Sequence, residues 1–168
     1  MPDAPVVVLI GAPGAGKTRM GKRLAKLLDV PFIDTDKTIV AEHGSIPELF
    51  ATHGEEHFRA LERSHVARAL SSSAVVALGG GAVLDDVTRA ALASHRVVLL
   101  TVSSEAVAAR ISNDKRPLLA NGLDSWVALA EERRPIYESL ARKSFDTSHR
   151  PLDTIAGEIV AWITKDTK

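Results

Sequence analysis

The stretch Gly11-Ala12-Pro13-Gly14-Ala15-Gly16-Lys17-Thr18 matches G-x-x-x-x-G-K-[ST] at every fixed position. Glycines at these places let the main chain turn tightly and aim its N–H groups inward. With the N-terminus of a following helix they make a cradle for an anion. Lys17 adds a positive charge for the β- and γ-phosphates of a nucleotide, and Thr18 offers a hydroxyl to Mg²⁺. Gly14, Ala15, Gly16, Lys17, Thr18 and Arg19 are therefore candidate ATP-binding residues.

A phosphate loop alone does not separate kinases from switches or other nucleotidases. A guanine-nucleotide switch needs a carboxylate after its third strand and an Asn-Lys-x-Asp segment to read the base. Here the third apolar run, residues 74–78, passes straight into Gly79-Gly80-Gly81, and no Asn-Lys-x-Asp occurs. The acid is instead Asp34, after the second apolar run, with Asp36 two residues on. If the chain stays extended there, both side chains share one face. Asp34 could hold Mg²⁺, directly or through water, and the roles of the pair can differ: one carboxylate serves the metal while the other accepts the proton of a substrate hydroxyl. The competing explanation is a pair of Asx turns that merely shape the loop.

These residues need a scaffold. The 168 residues suit a single α/β domain. With 45% hydrophobic but only 4% aromatic residues, the core should be aliphatic. Lys plus Arg equals Asp plus Glu at 21 each, so there is no global pull toward nucleic acid or acidic membranes. Cysteine is absent, which excludes disulfides, thiolate zinc sites and thiol nucleophiles. The apolar run at residues 6–10 is too short for a signal core or a membrane span, so a cytoplasmic protein without a membrane partner is expected.

Strands are predicted at residues 6–10, 32–33, 74–78 and 97–102. Between them lie helical patterns. Met20, Leu24, Leu27 and Leu28 mark the first, and Ser45 with Glu48 makes a capping box for a second. Residues 55–70 form a longer one, and Asp85 and Ser103 can cap two more. A helix from Asp124 should end or kink at Pro135, and Ile155, Ile159, Trp162 and Ile163 line a closing helix. Residues 113–122 are polar and loop-like. This alternation predicts a three-layer α/β/α fold on a central parallel sheet, with ligands at the carboxyl ends of its strands.

The chain resembles the shikimate kinase family of P-loop folds. The matching pieces are residues 11–18, Asp34-Thr35-Asp36, Gly54-Glu55, Phe58-Arg59 with Glu62, Gly79-Gly80-Gly81, Arg116-Pro117-Leu118-Leu119, and Arg133 with Pro135 and Tyr137. They span nearly the whole chain in the family's order. The resemblance implies an ATP- and Mg²⁺-dependent transfer to the 3-hydroxyl of shikimate by a monomeric single-domain enzyme. It implies that Asp36, Arg59, Gly80 and Arg133 hold shikimate, and that a substrate-binding region lies at about residues 34–62. It implies a lid at about residues 112–124 that brings Arg116 to the γ-phosphate, and places Arg110 and Arg150 near the adenine. Lys17, Asp36 and Arg116 would be the catalytic groups. Chemistry agrees for the acid, because guanidinium groups grip a carboxylate in a planar, bidentate way. Glu62, one turn from Arg59, would orient it.

Bland alternatives exist for each residue: a solvated Arg59–Glu62 pair, Arg133 as a helix-end cation, and the triple glycine as a tight strand exit. A kinase for another hydroxy acid such as gluconate, or a nucleotide-binding module without catalysis, are the competing functions. His53 and His57 have a metal-compatible spacing but no third ligand nearby, and read as a surface pair.

Overall fold

A computed structural model describes residues 3–114 and 122–167. Five parallel strands make its sheet in the order β2-β3-β1-β4-β5: β1 Val7–Ile10, β2 Phe32–Asp34, β3 Val75–Ala77, β4 Val97–Thr101 and β5 Lys143–Asp146. The connecting helices are α1 Lys17–Leu28, α2 Thr35–His43, α3 Ile46–His53, α4 Glu55–Ala69, α5 Asp86–Leu92, α6 Ser104–Asp114, α7 Leu123–Leu140 and α8 Leu152–Thr167. This is the doubly wound α/β/α arrangement of P-loop proteins.

The unbroken apolar run of β1 has a simple cause. The strand lies at the centre of the sheet, and Val8 pairs with both Val76 and Val97. Its alternate side chains feed different cores. Val7 and Leu9 pack with Met20, Leu24, Ile155 and Ile159 on the α1/α8 side. Val8 and Ile10 pack with Val66, Leu92, Leu99 and Tyr137 on the other. Each such buried aliphatic side chain contributes about 1.5–3 kcal/mol. A small third cluster, Ile39, Leu49 and Phe58, ties α2, α3 and α4 into one lobe beside the sheet.

The structure departs from the sequence expectations in four places. β5 has no predicted counterpart, because as an edge strand it buries only Phe145 of its residues. Residues 34–36 are not extended: the helix α2 starts at Thr35. The box expected at Ser45 is not closed, since α3 begins there without a side-chain capping bond and carries Pro47 in its first turn. Finally, α7 runs through Pro135 to Leu140 as one helix. Burial of Trp126 before the proline and Tyr137 after it anchors both halves to the body of the protein, which offsets the missing helical bond. Asp85 and Ser103 do cap their helices, accepting from Thr88 N–H at 2.9 Å and Ala106 N–H at 3.1 Å.

Candidate active site

The site opens at the carboxyl ends of β1, β2 and β3, around a cavity of about 670 Å³. Residues 13–19 form one wall, and Asp34, Asp36, Gly79, Gly80, Arg110 and Arg150 are among the other lining residues. The loop after β1 turns through Gly14 at φ 85° and Gly16 at φ 92°, conformations that cost a side-chain-bearing residue energy. Gly16 precedes α1 with no side-chain cap, so the free N–H groups of that helix end face the cavity mouth.

The loop is also held from behind. Pro13 O accepts from the indole N–H of Trp126 at 2.7 Å. Gly14 O accepts from the Arg110 guanidinium, and Ala15 O from the Thr147 hydroxyl at 2.9 Å. A trans peptide sets each carbonyl opposite the next N–H, so carbonyls tied outward turn the N–H groups of Gly14 and Gly16 the other way. Ala15 N–H closes the turn on Ala12 O at 3.1 Å. Trp126 and Thr147 were invisible as site residues in the sequence. Each lies more than 100 residues from its loop partner, and a Trp in a helix reads as core.

Beneath the loop, Lys17 Nζ donates to Gly11 O at 2.5 Å and Ala12 O at 3.2 Å. Desolvation lowers its pKa to about 8; Asp36 and Asp34 oppose that shift and Arg133 adds to it. Thr18 Oγ1 donates to Asp34 Oδ2 at 2.8 Å. The other oxygen of Asp34 caps α2, accepting from Asp36 N–H at 3.0 Å and Lys37 N–H at 3.3 Å. That cap is the reason the chain leaves the extended form: it satisfies helix-end donors and draws Asp36 into the first turn. Asp34 thus keeps one oxygen for the fold and turns the other toward the site.

Each glycine after β3 lies under one charged side chain. A Cβ on Gly79 would collide with the Asp36 carboxylate. On Gly80 it would stand 3.2 Å from Arg133 Nη1, and on Gly81 2.7 Å from Arg59 Nη2. None of these glycines has positive φ, so their role here is the close approach of side chains and not a left-handed backbone. Burial raises the pKa of Asp36, Asp34 adds to the rise, and Lys17 and Arg59 oppose it.

Arg59 Nη1 donates to Glu62 Oε1 at 2.6 Å, and Glu62 is only 3% exposed, so the pair is not a solvated one. Burial pushes the Glu62 carboxyl up against the pull of Arg59. Arg133 sits well inside α7 and not at its end. One turn on, Tyr137 donates its hydroxyl to Gly80 O at 2.7 Å. Arg110 is spent on the loop and on Thr147 O at 2.7 Å, and Arg150 pairs with Glu158 at the cavity rim. Arg19 is an exposed lining residue. Arg116 and most of the expected lid, residues 115–121, lie outside the described residues.

A phosphate loop on a doubly wound sheet, sharing its cavity with Asp34 and Asp36 and with Arg133 and Arg59 against the adjoining Gly80 and Gly81, defines a small-molecule P-loop kinase. The shikimate kinase family model matches residues 13–164. Shikimate kinases from Thermobifida fusca and Salinispora tropica are 49% and 48% identical over 166 and 162 residues. The alignments cover 96% and 94% of this chain, and 95% and 97% of those proteins. The solved structure of the Acinetobacter baumannii shikimate kinase in complex with shikimate superposes with a TM-score of 0.87. It is 32% identical, with 98% of this chain and 94% of that one covered. The chain belongs to the shikimate kinase family, and it is an ATP-using kinase, a transferase.

Proposed function

We propose that the protein transfers the γ-phosphoryl group of ATP to the 3-hydroxyl of shikimate, giving shikimate 3-phosphate and ADP, a step toward chorismate and the aromatic amino acids. The observation that carries this reading is the row of charged groups over the triple glycine: Asp36 over Gly79, Arg133 over Gly80 and Arg59 over Gly81. It offers a base and two guanidinium groups to one small hydroxy acid, next to a phosphate cradle.

Arg59 and Arg133 bind the shikimate carboxylate, and Gly80 admits the ring close to the main chain. Glu62 fixes the rotamer of Arg59. Asp36 accepts the 3-hydroxyl proton as that oxygen bonds to the γ-phosphorus. The bond from phosphorus to the β–γ bridging oxygen breaks, and ADP leaves with that electron pair. A raised pKa suits Asp36 to the task, because a base works best when its affinity for protons lies near the working pH. Gly14, Ala15, Gly16, Lys17, Thr18 and Arg19 hold the phosphates. Arg110 and Arg150 flank the nucleoside end, and Arg116 from the lid at about residues 112–124 stabilises the transferring group.

The Thr18 hydroxyl and Asp34 Oδ2, hydrogen-bonded to each other at 2.8 Å, are hard oxygen ligands of the kind that fits Mg²⁺. When bound, that ion would neutralise charge on the β- and γ-phosphates. We take residues 1–168 as one P-loop kinase domain with a substrate-binding region at about 34–62, acting as a cytoplasmic monomer without nucleic-acid partners. Among the described residues no helix is long and apolar enough to cross a membrane.

The decisive assay follows ADP release from ATP and Mg²⁺ with shikimate, with gluconate and with neither. Strong stimulation by shikimate alone is expected. Equal stimulation by gluconate would transfer the assignment to another hydroxy-acid kinase. ATP binding with no stimulated turnover would leave only a nucleotide-binding module.

A further inference from the structure

We propose that Glu42, His43 and His65 form a second cation site, built for a borderline divalent transition ion such as Zn²⁺ and separate from the nucleotide cavity. It lies where the C-terminal turn of α2 meets the middle of α4. Their ligand atoms all lie within 4.8 Å of one another. Glu42 Oε2 is 3.4 Å from His65 Nε2 and 3.7 Å from His43 Nε2. Bonds of about 2.0–2.1 Å at a tetrahedral centre put ligand atoms about 3.3 Å apart, close to the two spacings from Glu42. Two imidazoles and one carboxylate leave a fourth position for water. Such a set selects zinc-like ions and not Mg²⁺, which prefers six oxygens.

The orientation of His65 gives a second, independent argument. Its side chain is 2% exposed, and its Nδ1 lies 2.8 Å from Thr38 Oγ1. That hydroxyl also lies 2.9 Å from Thr35 O, the usual acceptor for a helical threonine one turn back. With the hydroxyl proton on Thr35 O, Thr38 accepts from His65 Nδ1–H. In the neutral ring the lone pair of Nε2 then faces the Glu42 carboxylate at 3.4 Å, an approach of two acceptors that a bound cation would bridge. An outer-shell partner on the second ring nitrogen is the usual companion of a metal-bound histidine. Arg68 Nη1 donates to Glu42 Oε1 at 2.8 Å, which steers the carboxylate and leaves Oε2 for the ion. The half-exposed Glu42 and His43 provide the entry path.

Occupancy would clamp the far end of α2 to α4. The near end of α2 carries Asp34 and Asp36, and α4 carries Arg59 and Glu62, the latter one turn from His65. The ion is thus placed to brace the lobe that presents those groups.

The test is calorimetric titration of ZnCl₂ into the full chain, in excess MgCl₂ and without nucleotide, with melting curves alongside. One equivalent should bind, and zinc at about 100 times its dissociation constant should raise the melting temperature by about 5–11 °C. His43→Ala and Glu42→Gln alter accessible side chains, and their metal-free melting curves check that the fold is intact. Each should weaken binding at least about tenfold, the loss expected when a ligand of a small site is removed. A His53→Ala/His57→Ala variant should bind as the parent does. No binding below millimolar zinc would overturn the proposal. So would unchanged affinity in His43→Ala and Glu42→Gln, or a loss of binding in the His53/His57 variant.

Discussion

One wall of the cavity is made of main chain and the other of side chains. In the phosphate loop the groups left for a ligand are the amide N–H groups of Gly14 and Gly16, and the carbonyls of residues 13–15 are held by Trp126, Arg110 and Thr147. In the proposed reading the second ligand meets side chains instead: the carboxylate of Asp36, which lines the cavity, and the guanidinium groups of Arg133 and Arg59, which lie against Gly80 and Gly81. A backbone wall can bind any triphosphate, because every chain has amides. On the proposed assignment, a side-chain wall would select one acid by its charge and shape. Recognition of the common ligand and of the particular ligand would then be built from different materials, and substitutions should separate them.

The largest effect is expected at the junction of the walls. Asp36→Asn should lower kcat by about 10²–10⁴-fold, the usual contribution of a positioned base, while ATP affinity stays near its parent value. Equal loss of ATP affinity would mean that Asp36 serves the phosphate wall instead. Next, Arg133→Ala removes a charge-assisted contact of about 1.5–3 kcal/mol, or about 10–150-fold in the KM for shikimate. The KM for ATP should move far less, and steady-state kinetics with each substrate varied in turn will show it.

The pH dependence divides the walls in a third way. Above pH about 8 Lys17 loses its proton in the free enzyme, so kcat/KM for ATP should fall, approaching about tenfold per pH unit. Stability moves oppositely. The folded chain holds that proton less tightly than the unfolded chain, so Lys17 makes stability rise with pH between about 8 and the ordinary lysine value. On the acid side, Asp36 should take up its proton above the normal carboxylate range and switch off turnover there. A pH profile that matches an ordinary aspartate and lysine would contradict both shifts. The smallest effect is expected for Trp126→Phe, which keeps the apolar bulk but frees Pro13 O. One neutral hydrogen bond of about 0.5–1.5 kcal/mol predicts a rise of about 2–12-fold in the KM for ATP, with shikimate affinity nearly unchanged.

The contrast also explains what could be read from the sequence. A main-chain site leaves a compact local signature, so residues 11–18 announced themselves. The core strands did too, since each is a continuous apolar run. The side chains of residues 36, 59 and 133 and the bare backbone of Gly80 share no local pattern, and only their likeness to a known family linked them before the fold was in view. β5 escaped because an edge strand with one buried residue has no period to detect. The helical turn at Thr35 escaped because it depends on which partner Asp34 chooses. Trp126 and Thr147 escaped because only the fold shows that their donors end on loop carbonyls.

One helix touches both walls: α7 reaches Pro13 through Trp126 and Gly80 through Tyr137, with Arg133 between. At about 100° per residue, steps of seven and four residues return within about 20–40° of the starting direction, so all three point from a single edge of the rod. The rod therefore acts as a gauge block that sets the gap between donor and acceptor. A single residue inserted between Trp126 and Arg133 would swing the arginine about 100° away while leaving the helix whole. It would uncouple the two ligands without removing any group that binds either.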